Sequence, residues 1–147
     1  MEQQTFASQA TFARYGRKTR RELFLHQGRL PYDRRAAPEE LRTYRLRARL
    51  LRVRREKDSD LHLLLGDLSH TDSRLIAEIP APECAVGTGR EQEYRRARAA
   101  LSGLLPGTEI EVMAVAFFDF PHEQHGAAKN GIELHPVLRV RVLRPGE

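Results

Sequence analysis

The segment TYRLRARLLRVRRE, residues 43–56, alternates apolar and polar side chains and changes phase near its middle. The apolar positions of its first half are Tyr44, Leu46, Ala48 and Leu50. A period of two predicts a β-strand with one buried and one solvated face. The apolar positions then continue at Leu51 and Val53, one residue out of phase. Such a shift within a strand predicts a β-bulge, and bulges bend the strands of small barrels.

Four more strands and one helix are predicted downstream of this segment. The strands are LHLLLGDL (61–68), RLIAEIP (74–80), EIEVMAVAFFDF (109–120) and IELHPVLRVRVL (132–143). The helix covers residues 89–103, a segment rich in Arg, Glu and Ala. Its apolar side carries Tyr94, Ala97, Leu101 and Leu104. Pro136 cannot donate to a ladder, and it therefore predicts an edge position or a bulge in the last strand.

The element order β-β-β-α-β-β predicts the fold class. Three strands, one helix and two further strands are the order of the OB-like barrel, a mainly β, five-stranded Greek-key barrel with one helix between strands 3 and 4. A mixed α+β sheet is the competing architecture, and the bulge together with the single helix favours the barrel. Residues 44–147 are predicted to form this barrel domain, and residues 1–43 form a basic N-terminal extension rich in turn signals.

Composition excludes several classes of protein. No apolar stretch approaches the roughly 18 residues that a membrane span requires, so no transmembrane segment is predicted. The N-terminus lacks the apolar run of a secretory signal, and a cytoplasmic location is the expectation. The single cysteine, Cys84, excludes an internal disulfide and a metal site made of cysteines alone.

Charge is distributed unevenly along the chain. Residues 1–57 hold 16 Lys and Arg against 6 Asp and Glu, a net charge of +10, whereas the whole chain carries +5. A basic N-terminal third attracts polyanions such as nucleic acid, or an acidic partner protein that residues 1–43 could bind. Only three of the 25 basic residues are lysines, which also fits an arginine-rich solvated surface without a ligand.

Arginines recur on the polar faces of the first and last predicted strands. They are Arg45, Arg47 and Arg49 on the first strand and Arg139 and Arg141 on the last. We expect these strands to be neighbours in a closed barrel, so that the arginines form one nucleic-acid-binding face to which Lys129 adds a charge from the preceding loop. OB barrels bind single strands by stacking bases on aromatic side chains, and Tyr44, Phe117, Phe118 and Phe120 are the nearby aromatics.

Histidines and carboxylates concentrate in two strands and one loop. The predicted catalytic residues are Asp60 and His62 on the second strand, Asp119 in the loop, and Glu133 and His135 on the last strand. The predicted metal ligands are His62, His122, His125 and His135, because imidazoles at such spacing hold zinc or manganese. If the apolar faces fill the barrel, the strand residues of this set point outward. A purely structural alternative remains, in which these side chains cap turns and bond across strands.

Four segments of the chain carry a resemblance to a protein family. They are KDSDLHLLLGD, RLIAEIPAPECA, VMAVAFFDFPHEQHG and NGIELHPVLRV. They contain an Asp-x-His strand, a Glu-x-Pro strand end, Phe-Asp before a His-rich loop, and a GIELHPV ending. Over about residues 44–143 the chain resembles a family of small bacterial proteins of uncharacterised function. The resemblance implies an OB-like barrel and no particular activity.

The element order is also similar to that of the thermonuclease barrel. The arginine pair and the acidic metal ligands of that enzyme have no matching motif here, so this second resemblance implies the fold and not the activity.

Three functions are consistent with the sequence. The leading hypothesis is a binding module for nucleic acid or another polyanion. The second is a metal-dependent phosphodiester hydrolase that uses the histidine and carboxylate set. The third is an interaction scaffold in which residues 1–43 recognise a protein partner.

Overall fold

The computed structural model of the chain describes residues 3–6, 35, 39–119, 128 and 131–147. The strands are β1 (Gln3–Phe6), β2 (Thr43–Arg55), β3 (Leu61–Gly66), β4 (Arg74–Ile79), β5 (Glu109–Phe118) and β6 (Ile132–Val142). The helix α1 spans Glu91–Ala99, and the short 3₁₀ helices are Glu39–Leu41 and Pro82–Ala85. Each of the five strands and the helix predicted from residue 43 onward is present.

Strands β2 to β6 close into a five-stranded barrel. The hydrogen-bonded order is β2-β3-β4-β6-β5, and β5 pairs again with β2. All of these pairings are antiparallel except that of β4 with β6. The strand order, with α1 between β4 and β5, confirms the mainly β, OB-like Greek-key barrel over the mixed α+β alternative.

The predicted bulge lies in the middle of β2. Leu50 pairs with Leu65 and Arg52 with Leu64, so Leu51 is the extra residue. Gly66 lies beside this bulge, and a Cβ atom at position 66 would stand 3.0 Å from Cδ1 of Leu51. Glycine therefore permits the close approach of β3 to the bulge.

The last strand is irregular around Pro136, as predicted. Leu134 pairs with Ala116 and Val137 with Ala114, so two residues of β6 stand opposite Val115. A second irregularity follows, because Arg139 pairs with Met113 and Leu138 is skipped. The two insertions together restore the original phase, so odd-numbered residues face outward both before and after them.

One apolar core fills the barrel. Inward residues of all five strands contribute, including Leu46, Leu65, Leu75, Val112, Phe118, Leu134 and Val137. Tyr94, Ala97 and Leu101 of the helical segment join this core, as their spacing predicts. Arg98 on α1 donates to the carbonyl oxygens of Ser59, Ile79 and Pro80, which ties the helix to the barrel where β3 begins and β4 ends.

Described parts of residues 1–43 pack on the barrel. β1 pairs in parallel with Thr43–Leu46, a part of β2 that lies before the residues paired with β3. Buried Glu40 accepts a hydrogen bond from the backbone N–H of Phe118 at 2.7 Å. Most of the extension lies outside the described residues, and the division at residue 43 stays a prediction. Within the described residues, no helix is long and apolar enough to cross a membrane.

Leu65→Ala should destabilise the fold by about 2–5 kcal/mol, because it opens a cavity in a closed core where Leu65 is 0% exposed. The matched control is Leu105→Ala, since Leu105 is 74% exposed and its truncation should cost less than about 0.5 kcal/mol. Urea unfolding of the two variants measures both values. Equal losses would contradict the assignment of the core.

Candidate functional site

The arginines predicted to bind nucleic acid lie on the outer surfaces of two strands, β2 and β6. We name Arg45, Arg47, Arg49, Arg139 and Arg141 the arginine face. β5 lies between β2 and β6, so the expectation that the two arginine-bearing strands are neighbours is wrong. The chain crosses the barrel between β4 and β5, and β6 then lies between these two strands. Local sequence gives no sign of that order.

Glu111 on β5 lies at the centre of the arginine face. It pairs in register with Arg47 on one side and Arg141 on the other. Its carboxylate oxygens lie 3.8 Å from Nε of Arg45, 3.5 Å from Nε of Arg47 and 3.6 Å from Nη2 of Arg141. One carboxylate therefore holds three guanidinium groups in a single array.

Two further carboxylates border the arginine face. Glu109 lies 3.5 Å from Nη2 of Arg49, and Glu147 accepts a hydrogen bond from Nη1 of Arg141 at 2.9 Å. Arg139 is exposed, and no carboxylate of the described residues forms an ion pair with it. Five guanidinium groups and three carboxylates leave this surface with a net positive charge.

The second candidate region is set by the parallel pairing of β4 with β6. Ala77 pairs with Leu134, and both side chains are buried in the core. The next residue on each strand, Glu78 and His135, therefore faces outward side by side. Nδ1 of His135 lies 3.1 Å from Oε2 of Glu78.

Asp60, just before β3, completes a group of potential ligands. One side-chain donor atom each from Asp60, Glu78 and His135 lies within 4.8 Å of the other two. Oδ1 of Asp60 accepts the backbone N–H of Ala81 at 2.7 Å. We name Asp60, Glu78, Glu133 and His135 the histidine–carboxylate cluster. Two carboxylates and an imidazole at this spacing can hold a divalent metal ion.

Burial and mutual charge shift two pKa values in this cluster. Burial raises the pKa of Glu133, His135 opposes that rise, and the negative charges of Glu78 and Asp119 add to it. Burial alone would lower the pKa of His135, but hydrogen bonds and charge from Glu133 and Glu78 outweigh it and raise that pKa to about 9. The imidazole is therefore the positive partner of the carboxylates at neutral pH.

His62 does not join this cluster. It stands opposite Glu78 in the β3–β4 register, yet its Nδ1 contacts Oε1 of Glu56 at 3.1 Å. Glu56 also accepts hydrogen bonds from Arg54, so the end of the β2–β3 hairpin forms its own polar network. His62 is only 5% exposed, so its side chain is buried even though it lies on the outer face of the barrel.

The loop residues are described only in part. The backbone N–H of Asp119 donates to the carbonyl oxygen of Gly131 at 2.9 Å. Gly131 has φ of 73°, and a Cβ there would lie 3.0 Å from the carbonyl oxygen of Asp119, so the turn requires glycine. The predicted ligands His122 and His125, and Lys129, lie outside the described residues, so these assignments stay predictions.

Few described aromatics are placed to stack on a ligand. Tyr44 and Phe118 are core residues, and Phe120 lies outside the described residues. Phe117 is half-buried. Its ring makes an edge contact with the His135 ring at 5.9 Å, and the guanidinium carbon of Arg35 lies 5.4 Å from its centroid.

Sequence reasoning missed three residues of these regions. Glu111 lies on the outward face of β5, Glu78 is the one acidic residue of β4, and Arg35 belongs to the extension. Glu78 stands in the Glu-x-Pro strand end that carries the family resemblance, a signal that could have identified it. The position of Glu111 between arginines depends on strand order alone.

Replacing Glu78 with Gln should lower the pKa of His135 by about one pH unit or more, because the amide keeps the size of the side chain but removes its charge. The pH titration of the His135 ring by NMR, in buffer with a chelator, measures this value. Glu83→Gln is the control, since Glu83 is exposed and its nearest cationic partner is Arg95. An unchanged titration in Glu78→Gln would contradict the electrostatic account.

Comparison with known proteins gives structural matches alone. No protein-family model and no curated protein matches the chain. An aspartyl-tRNA synthetase structure from Leishmania major Friedlin is similar at 16% identity and a TM-score of 0.48, over 68% of this chain and 17% of that chain. The asparaginyl-tRNA synthetase of Entamoeba histolytica matches at 14% identity and a TM-score of 0.44, over 75% of this chain and 22% of that chain.

The same Entamoeba histolytica enzyme in complex with asparaginyl-adenylate matches at 13% identity and a TM-score of 0.45, over 78% of this chain and 24% of that chain. This chain thus spans less than a quarter of each of these proteins. The strand order itself establishes the OB-like barrel. Membership in the bacterial family that the sequence resembles stays a prediction.

Proposed function

We propose that the protein binds nucleic acid through the arginine face. The observation that carries this proposal is the shared carboxylate of Glu111, which lies within 3.8 Å of three guanidinium groups. A single carboxylate neutralises one of the three charges, so the array keeps a positive charge that phosphates can approach.

The guanidinium groups keep donors for a ligand. The contacts of Glu111 are 3.5 Å or longer, at the limit of hydrogen-bond length or beyond it. The side chains of Arg45, Arg47 and Arg141 are 41–45% exposed. An arginine fork can bind a phosphate with two donors at once, and several such forks on one surface would follow a phosphate backbone.

Phosphate contact, rather than base stacking, is the mode of binding that this surface favours. Tyr44 and Phe118 lie in the core and cannot stack on bases. Contacts to phosphates position a protein on nucleic acid without reading sequence. Binding should therefore depend steeply on salt and only weakly on base composition.

The two alternatives predict other results with the same probe. A phosphodiester hydrolase would cleave a labelled strand, and cleavage would require residues of the histidine–carboxylate cluster such as Asp60 and His135. An interaction scaffold would leave the strand both unbound and intact, and residues 1–43 would then be the part to present to candidate protein partners.

Replacing Arg45, Arg47 and Arg139 with Gln should weaken binding of a single strand of about 20 nucleotides, which exceeds the site size of an OB fold. The slope of log affinity against log salt should become shallower by about 2, because each lost phosphate contact removes about 0.7 from it. Fluorescence anisotropy across a salt series measures both affinity and slope.

The matched control replaces Arg90, Arg95 and Arg96 with Gln. These three arginines are exposed at the start of α1 and along it, and their loss changes the net charge by the same amount. The control should keep nearly the full affinity and slope. If both triple variants lose affinity equally, general charge rather than the arginine face is responsible, and the proposal fails.

A further inference from the structure

We propose that Asp60, Glu78 and His135 bind a divalent transition-metal cation, with the buried carboxylate of Glu133 beside them. The site lies at the end of the barrel where β3 begins and β4 ends, away from the guanidinium array around Glu111. It does not rest on nucleic-acid binding, and either proposal can fail without the other.

The spacing of the donor atoms fits one ion. The three atoms lie within 4.8 Å of one another. Metal–ligand bonds of about 2.1 Å place the ligands of a tetrahedral ion about 3.4 Å apart and opposite ligands of an octahedral ion about 4.2 Å apart. Small side-chain rotations would therefore bring all three atoms to a common centre.

The charge of the cluster is incompletely compensated. Within the described residues, no lysine or arginine forms an ion pair with Asp60, Glu78 or Glu133, and His135 forms ion pairs with Glu78 and Glu133. Even with that imidazole protonated, three carboxylates leave an excess of negative charge. Such an excess in a partly buried place favours a bound cation. A bound metal ion would displace a proton from His135 to solvent, because imidazole coordinates a metal in its neutral form.

Glu133 adds a buried negative charge beside the three donor atoms. Glu133 is 6% exposed. Its cationic partner is His135, whose Nδ1 lies 3.7 Å from Oε1 of Glu133. Nδ1 of His135 is engaged more closely by Glu78, at 3.1 Å. A buried carboxylate that shares its cationic partner with a second carboxylate is costly, and a cation at this place would lower that cost.

Neighbouring contacts hold the donors in place. Glu78 and His135 project from paired strands. Asp60 is fixed through Oδ1 by the N–H of Ala81, which leaves its second oxygen for an ion. Arg98 bonds backbone carbonyls at this end rather than the carboxylates, so it fixes the frame without neutralising the cluster. Pre-positioned donors reduce the cost of ordering side chains on binding.

The donor types indicate the class of ion. Carboxylates suit Mg²⁺, Ca²⁺ and Mn²⁺, whereas imidazole suits Zn²⁺ and other later transition metals. A set with two carboxylates and one imidazole therefore points to Mn²⁺ or Zn²⁺. The experiment uses both ions with the full chain and without nucleic acid.

Protein stripped with a chelator and then dialysed should bind one Mn²⁺ per chain, measured by loss of the EPR signal of the free ion. Competition with a chromophoric chelator measures Zn²⁺. Glu78→Gln should weaken binding at least about tenfold, the smallest loss usual even for partners outside the ligand shell. NMR signals of the Ile79 and Ala81 amides should broaden with Mn²⁺ before those of Gly66 and Arg74.

Glu56→Gln is the matched control. The Glu56–His62 pair has the same 3.1 Å contact as Glu78–His135, but the structure gives it no third ligand among the described residues. This variant should bind metal as the parent protein does. The proposal is overturned if the parent binds neither ion at millimolar concentration or if Glu78→Gln binds normally. It also fails if His122→Ala with His125→Ala abolishes binding while Glu78→Gln keeps it.

Discussion

Closure of the sheet through β2 is the constraint on which the rest of the structure depends. Arg49 pairs with Gly66 of β3 on one edge and with Glu109 of β5 on the other. Beyond the bulge at Leu51, β2 continues to pair with β3. Gly66, which has no side chain, leaves room for the extra residue. A flat strand would pair with its neighbours without bending, whereas a bulged strand increases the local twist that a small barrel needs.

This closure also decides which outward side chains become neighbours. Because β5 enters between β2 and β6, Glu111 stands between arginines that come from distant parts of the chain. Because β4 and β6 pair in parallel, the carboxylate of Glu78 contacts His135 of β6, although His62 of its own hairpin stands opposite it in register. Both candidate regions are thus products of strand order.

Alternation within segments was sufficient to predict the elements, most of the core and the bulges at Leu51 and Pro136, because these features depend on residues close in sequence. Alternation did not predict that Val137 is a core residue, because Val137 lies between two insertions that interrupt the alternation of β6. Alternation also predicted that His62 and Asp60 belong to one site. In the structure the His62 imidazole contacts Glu56 at the end of the same hairpin. The shared role of Glu111 and the meeting of Glu78 with His135 require the three-dimensional order, which no local pattern contains.

The outer face of β6 contributes residues to both candidate regions, and the net charges of the two regions have opposite signs. Glu133 and His135 lie before the insertions at Pro136, and Arg139 and Arg141 lie after them. A phosphate chain drawn to the arginine end would meet excess negative charge if it continued toward His135. The cluster would then limit where a polyanion can lie, because like charges within a Debye length repel. A cation bound at Asp60, Glu78 and His135 would remove that repulsion and let the same surface accept a longer phosphate chain.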